Sequence, residues 1–287
     1  MKTSLVRKVS QQALNELVKA VEAGKSQKLV EYLKAMGRFR NYSLGNVILI
    51  GFQRPDATRV AGFRAWQKLG RHVKKGEHGI AIMAPIVWRR KPTQPDDPED
   101  KPQNEEEAAV AFKTAYVFDI SQTDGKPLPE FARVNGDPGV YTERLREYVS
   151  SRGGKLEYSD AMGLAEGISA GGLIKLKKGL TAAEELSVLA HELAHEILHK
   201  NRQNMPKEKK VRETEAEAVA FVVCHGIGLD TNSASSDYIQ LYNGDKDTLM
   251  KSLERIQRTA SEILGAVVDK EPVGETRGEE PCVAVAA

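Results

Sequence analysis

The sequence predicts an α+β protein of two domains, an N-terminal α/β module over residues 1–130 and a mostly helical domain over 131–268, with a disordered tail over 269–287. Three observations carry that prediction. Helical and strand-like hydrophobic patterns alternate in the first half, whereas helical periods dominate the second. The segment from Thr123 to Gly139, rich in Gly, Pro and Asp, reads as the linker between them. Charge is the third. Residues 1–95 hold 19 Lys+Arg against 5 Asp+Glu, residues 96–130 hold 3 against 10, and residues 131–287 hold 20 against 25. The formal net charge of +2 is therefore a cancellation that hides a strongly basic N-terminal segment.

In chain order, Val6, Val9, Leu14, Leu17, Val18 and Val21 recur at near-helical spacing over residues 3–23, and Gly24 ends the run. A second helix is expected from Ser26, a candidate N-cap, to Met36, with Gly37 as its stop. A third, short helix starts at Ser43. Arg64 to Leu69 reads as another short helix closed by Gly70. Strand-like stretches follow, with Lys74-Lys75-Gly76-Glu77-His78-Gly79 as a hairpin turn. Residues 91–107, KPTQPDDPEDKPQNEEE, combine four prolines with a run of acids and read as a flexible insertion inside the first domain. Ala111 to Ile120 then returns as a strand. The second domain is expected to contain a helix over 140–151, a strand from Ile168 to Leu176, helices over about 182–200 and 208–225, and an amphipathic helix from about Lys246 to Val267.

No apolar run approaches the ~18 residues that a membrane helix needs. The longest, Leu44 to Phe52, is broken by Gly45, Asn46 and Gly51. Gln11, Gln12, Asn15 and Glu16 stand where a signal peptide would carry its apolar centre. Cys224 and Cys282 make no disulfide framework. A cytoplasmic protein without a membrane partner is expected.

The sharpest chemical signal is His191-Glu192-Leu193-Ala194-His195. The i, i+4 spacing puts both imidazoles on one helix face, where they can share one ion, and Glu192 lies beside them. Thr181 and Glu184 form a capping box for this helix, and Leu186, Leu189, Leu193 and Ile197 form its buried stripe. A catalytic zinc site needs a third protein ligand. A histidine at position 201 would supply it in one zinc-protease pattern, but Asn201 stands there. His199 lies ~12 Å along the axis from His191, an awkward reach, and suits a C-terminal partner of the helix dipole. Glu213 and Glu217, on the next helix, form an i, i+4 carboxylate pair. One can bind zinc while the other accepts the free ring N–H of a ligand histidine. Ala216 and Ala220 beside them allow close packing on the first helix. With zinc in place, the ion polarises a peptide carbonyl and Glu192 moves the proton of the attacking water. The strand from Ile168 to Leu176 is a candidate edge for an extended peptide.

In the basic segment, cations alternate with aromatics. Arg38, Arg40, Asn41, Tyr42, Arg54, Arg59, Arg64, Trp66, Arg71, Lys74 and Lys75 are the candidates for contacting nucleic acid. Cations that track phosphates and rings that stack on bases suit sequence-tolerant single-strand binding, with weaker duplex binding alongside it. No helix-turn-helix, zinc finger or ribonucleoprotein motif indicates specific duplex reading.

The stretch YSLGNVILIGFQRPDATRVAGFRAWQKLGRHVKKGEHGIAIMAPI, with AYVFDISQTDGKPLPE, resembles the single-stranded-DNA-binding N-terminal domain of the ArdC antirestriction family. HELAH followed by ETEAEAVAF resembles the gluzincin-like zinc metallopeptidase domain that completes such proteins, which is similar to ImmA/IrrE and SprT-like peptidases. The resemblance spans about residues 5–265. It implies His191, His195 and Glu213 as ligands of Zn²⁺, Mn²⁺ or another divalent cation and Glu192 as the catalytic residue, which leaves Glu217, of the carboxylate pair, as the outer partner of a ligand histidine. It further implies a protein that binds single-stranded DNA non-specifically, protects incoming plasmid DNA from restriction during conjugation, and acts on a protein substrate that the sequence does not name. Two other readings use the same residues: a DNA-associated regulatory or repair protease, and a non-enzymatic DNA-coating protein whose zinc is structural.

Overall fold

The computed structural model describes residues 3–87, 110–127, 138–200, 206–229, 238–242 and 245–269. The acidic insertion, all of the tail but Asp269, Asn201 and the central part of the expected linker lie outside them.

Three helices open the chain: α1 (Thr3–Glu22), α2 (Gln27–Arg38) and α3 (Leu44–Gln53). They are followed by β1 (Val60–Gly62), α4 (Phe63–Lys68), β2 (Arg71–Val73), β3 (Ile80–Val87), β4 (Val110–Asp119) and, after a 3₁₀ turn, β5 (Thr123–Gly125). β4 lies between β1 and β3 in an antiparallel sheet, and β2 pairs with β5 in a separate ribbon. Two expectations change here. The segment from Lys74 to Gly79 joins strands of different sheets and is not a hairpin. Thr123 to Gly125, read as the start of a linker, is a strand of the N-terminal unit.

Edge strand β3 would present unpaired backbone groups, a liability that sheets usually mask. Here α3 masks them. Asn46 accepts from Met83 N–H and donates to its carbonyl, both at 2.9 Å. Gln53, two turns on, makes the same pair of bonds to Ala81 at 3.0 and 2.8 Å. At the other end of the sheet, the buried Asp119 carboxylate accepts from Thr58 and Arg59 N–H at 2.8 and 3.0 Å and from Ser121 N–H and Oγ at 3.0 and 2.7 Å. Burial works against its charge, but these four donors win and hold its pKa below the ordinary aspartate value.

The second half contains α5 (Gly139–Ser151), β6 (Lys155–Ser159), β7 (Gly167–Ser169), β8 (Leu173–Lys177), α6 (Ala182–Leu198), α7 (Lys209–Gly226) and α8 (Lys246–Val268). β8 sits between a parallel β6 and an antiparallel β7. The strand expected over 168–176 is therefore a hairpin that turns at Ala170–Gly172, and β6 is an added strand without a strong alternating pattern. One hydrophobic core runs through both halves, from Leu33 and Met36 of α2 to Leu189 of α6, Val222 of α7 and Ile263 of α8.

Gly37 does not stop α2. It lies inside the helix where α7 crosses, and a Cβ there would sit 2.8 Å from the Val222 carbonyl and 3.1 Å from Gly226 N. Two glycines let the backbones touch, and this close approach overrides the helix-ending tendency that the sequence suggested. Ser261 Oγ and Gln257 Nε2 also donate to the carbonyls of Arg40 and Tyr42, at 2.8 and 3.2 Å, and fasten α8 onto the end of α2. No described helix is long and apolar enough to cross a membrane.

Candidate metal centre

α6 starts from a capping box. Thr181 Oγ1 accepts from Glu184 N–H at 3.3 Å, and Glu184 accepts from Thr181 N–H at 2.8 Å. From that fixed start, the helical period turns Leu186, Leu189 and Leu193 into the core and leaves His191 and His195 half-buried on another face. Their Nε2 atoms are 3.1 Å apart. Glu213, in the second turn of α7, places Oε2 3.4 Å from His195 Nε2 and 3.7 Å from His191 Nε2. In a tetrahedral site with ligand bonds of ~2.1 Å, ligand atoms stand ~3.4 Å apart, so this triangle fits one cation with a position left open. Among the described residues, no other cluster of His, Cys, Asp or Glu converges in this way.

The second carboxylate of α7 faces the other side of the ring. Glu217 Oε2 is 3.4 Å from His191 Nδ1. Burial alone would lower the His191 pKa, but the Glu217 hydrogen bond and the charges of Glu192, Glu217 and Glu213 raise it above the ordinary value. His195 goes the other way: burial, then the neighbouring His191, push it down to about 4. It is held as a neutral imidazole, the form a cation needs.

Glu192 is buried against β7. Burial raises its pKa, partly offset by the neighbouring His191 and by the Ser169 backbone N–H that its carboxylate accepts. A Cβ on Gly167 would lie 2.6 Å from both Glu192 Oε1 and Val188 Cγ1, so only glycine lets β7 lie across this part of α6. One turn further on, Glu196 straps the β7–β8 turn to the helix. It accepts from Ser169 Oγ, Gly171 N–H and Gly172 N–H at 2.7, 2.8 and 2.7 Å. An edge strand is thereby pinned beside Glu192. Sequence reading missed these contacts because glutamate, serine and glycine at such positions carry no pattern of their own.

The candidate nucleic-acid residues divide differently. Trp66 is 2% exposed and donates its indole N–H to the Phe118 carbonyl at 2.9 Å, so it belongs to the core. Arg71 is bonded to Thr123 Oγ1 and to the Thr123 and Lys126 carbonyls at 2.8, 2.9 and 2.5 Å, as a clamp on β5. Arg40 pairs with Asp269 at 2.7 Å, and Arg38 donates to the Ala57 carbonyl at 2.9 Å. Tyr42 is half-buried and donates to the Val60 carbonyl at 3.3 Å. Arg54 donates to Ser121 Oγ at 3.3 Å and Lys74 to the Ser121 carbonyl at 3.0 Å. Arg59 is half-buried, whereas Asn41, Arg64, Lys74 and Lys75 are exposed. The rings at the surface of this half are others: Phe63 at 50% exposure, Phe112 at 48% and Tyr116 at 42%, with a half-buried Phe118 whose ring meets Phe63 edge-on at 6.5 Å. Phe118 and Tyr116 both lie against Gly79, at the end of the loop that carries Lys75 and His78. The sequence offered β-strand alternation over Val110–Asp119 as a signal for Tyr116 and Phe118.

A family model described as the N-terminal domain of anti-restriction factor ArdC matches residues 7–118. A second, described as an IrrE N-terminal-like domain of the M78 peptidase class, matches residues 143–224. Together the two domain matches, in this order, support an ArdC-type antirestriction protein. Its fold is the two-domain, mixed helix and sheet fold of ArdC. The crystal structure of metal-free antirestriction ArdC from plasmid R388 superposes with a TM-score of 0.52 at 19% identity, over 92% of this chain and 99% of that one. The Mn(II)-bound form gives 0.54 at 20% identity, over 91% and 99%. An uncharacterized protein of Bacillus anthracis is 29% identical over 283 residues, covering 84% of this chain and 48% of the relative. The chain thus spans about half the length of that curated relative. Within the ArdC-type architecture, His191, Glu192, His195, Glu213, Glu215 and Glu217 all fall in the IrrE-like match.

Proposed function

We propose that this chain binds single-stranded DNA without sequence preference through its N-terminal domain, residues 1–130. Residues 131–268 carry a metallopeptidase site, and the whole protects plasmid DNA entering a new host from restriction. That role places the chain in the cytoplasm of the recipient cell. The observation that carries the reading is the triangle of His191, His195 and Glu213 beside a buried Glu192.

The Mn(II)-bound form of R388 ArdC supports a divalent cation in such a site, and two imidazoles with one carboxylate suit Zn²⁺ equally. Bound there, the cation supplies Lewis acidity that polarises a peptide carbonyl and acidifies water. The chain's own residues do the rest. Glu217 orients His191. Glu192, its pKa raised by burial, takes a proton from the attacking water and returns it to the leaving amine. Edge strand β7, pinned by Glu196, offers backbone groups to an extended peptide. The DNA surface we infer is the exposed rings Phe63 and Tyr116 and the half-buried Phe118 beside them, with Arg64 and Lys75. Cations already bonded to carbonyls still add to the attractive field, although they cannot grip a phosphate.

The full chain tests both halves. Fluorescence anisotropy with labelled oligonucleotides should give single-strand binding that weakens steeply with salt. Glu192→Ala should keep its cation and its DNA binding and lose any proteolysis. Binding indifferent to salt would remove the DNA reading. Proteolysis that survives in Glu192→Ala would remove the assignment of Glu192.

A further inference from the structure

The residue that caps the C-terminus of α6 is a third histidine, which the cation triangle does not use. His199 lies one turn beyond His195, its side chain 7% exposed. Its Nδ1 is 3.0 Å from His195 Nδ1, and its Nε2 is 3.0 Å from Glu215 Oε2. Glu215 has no exposed surface, and Arg255 of α8 closes the far end. Arg255 donates to Glu215 Oε1 through Nε at 3.1 Å and through Nη2, and Nη2 also donates to Ser252 Oγ at 3.0 Å. On the Nδ1 side, His191 reaches a carboxylate directly, in the half-exposed Glu217, whereas His195 Nδ1 meets a second imidazole, and the carboxylate beyond it is sealed.

The direction of every hydrogen bond in this row follows from its sealed end. Arg255 is a permanent cation that only donates, and its charge against Glu215 favours the carboxylate, which only accepts. His199 must then donate through Nε2–H. With His199 neutral, its lone pair is at Nδ1, and the hydrogen bond to His195 is then donated by His195 Nδ1–H. The lone pair of His195 is thereby left on Nε2, the atom 3.4 Å from Glu213. Imidazole in water favours a proton on Nε2, so the row selects the tautomer that free histidine does not prefer.

We propose that Arg255, Glu215 and His199 form a positioning relay that locks His195 in its Nδ1–H tautomer and presents Nε2 to the divalent cation. The relay rests on the reading of His191, His195 and Glu213 as the cation site. It also gives α8, whose Arg255 lies beyond the end of the IrrE-like match, a part in shaping that site.

Long-range ¹H–¹⁵N spectra of the metal-free full chain read the tautomers directly. The expected pattern is a protonated Nδ1 on His195 and a protonated Nε2 on His199. The opposite pattern would overturn the relay. The affinity for Mn²⁺ alone, measured by competition against a chelator, is the second readout. His199→Phe fills the same space without a ring nitrogen and should weaken Mn²⁺ by about 10–100-fold, with the melting temperature of the metal-free protein little changed. Glu215→Gln should weaken Mn²⁺ similarly; because it replaces a sealed carboxylate, the His199 variant and the wild-type spectra decide the matter where that protein does not fold. Equal Mn²⁺ affinity in folded His199→Phe and wild type would overturn the relay. A wild-type chain that binds no Mn²⁺ would instead overturn the cation-site reading.

Discussion

The face shared by α6 and α7 and the surface around β4 are both rich in polar and aromatic side chains, but they use them in opposite ways. At α6 and α7, carboxylates and imidazoles point at one another across 3.1 to 3.7 Å, with no cation side chain inside the triangle. Around β4 several basic side chains turn back onto the protein, while Arg64 and Lys75 stay exposed. Arg71 and Arg38 spend their guanidinium donors on carbonyls. The difference teaches that a site is marked by groups whose electrostatic needs the fold leaves open, and not by a concentration of charge. Three donors facing each other need a cation. An arginine bonded to three acceptors needs nothing further.

Substitutions that open or close such needs sharpen the contrast. The largest effect is expected at Asp119, whose carboxylate serves four donors. Asp119→Ala should cost about 3 kcal/mol of stability, read by chemical denaturation. The sign of the pH dependence follows from its depressed pKa. The contribution of Asp119 is complete above the ordinary aspartate value of ~3.9 and is lost as pH falls through the lower folded value. The variant should therefore lack that share of acid unfolding; an unchanged acid transition would show that Asp119 is not the group concerned.

Next come the surface rings. Phe63→Ala and Tyr116→Ala should each weaken single-strand binding by about 1–3 kcal/mol, with stability little changed. Trp66→Phe should do the reverse and lower the melting temperature. Anisotropy and thermal melts on the same samples separate the two patterns, and a Trp66 effect on DNA affinity alone would reverse the division drawn here. The smallest effect is expected at Lys75, where Lys75→Ala should lower the salt slope of binding by about one, against no such change in Arg71→Lys.

What the sequence made legible follows the same division. Helical spacing is a geometric instruction, so His191 and His195 meet as their i, i+4 separation requires, and Thr181 and Glu184 start the helix where their capping pattern places it. Spacing along α7 put Glu213 and Glu217 on one face, but only the packing of α7 on α6 distributes them to opposite sides of His191. The role inferred for His199 depends on Arg255, 56 positions away, which no local pattern announces. Gly37 was misread because the contact that keeps it inside a helix lies on α7. In the basic module, composition gave the charge correctly, while the exposure of each ring was decided by which face of β4 meets the core.

The account rests on His191, His195 and Glu213 acting as one cation site. Calorimetric titration of the metal-stripped full chain with Mn²⁺ and with Zn²⁺, beside Glu213→Ala and Glu217→Ala, tests it most directly. The wild type should bind one ion per chain, Glu213→Ala should lose more than about 100-fold in affinity, and Glu217→Ala about 10-fold to 100-fold. Undiminished binding in Glu213→Ala would contradict it.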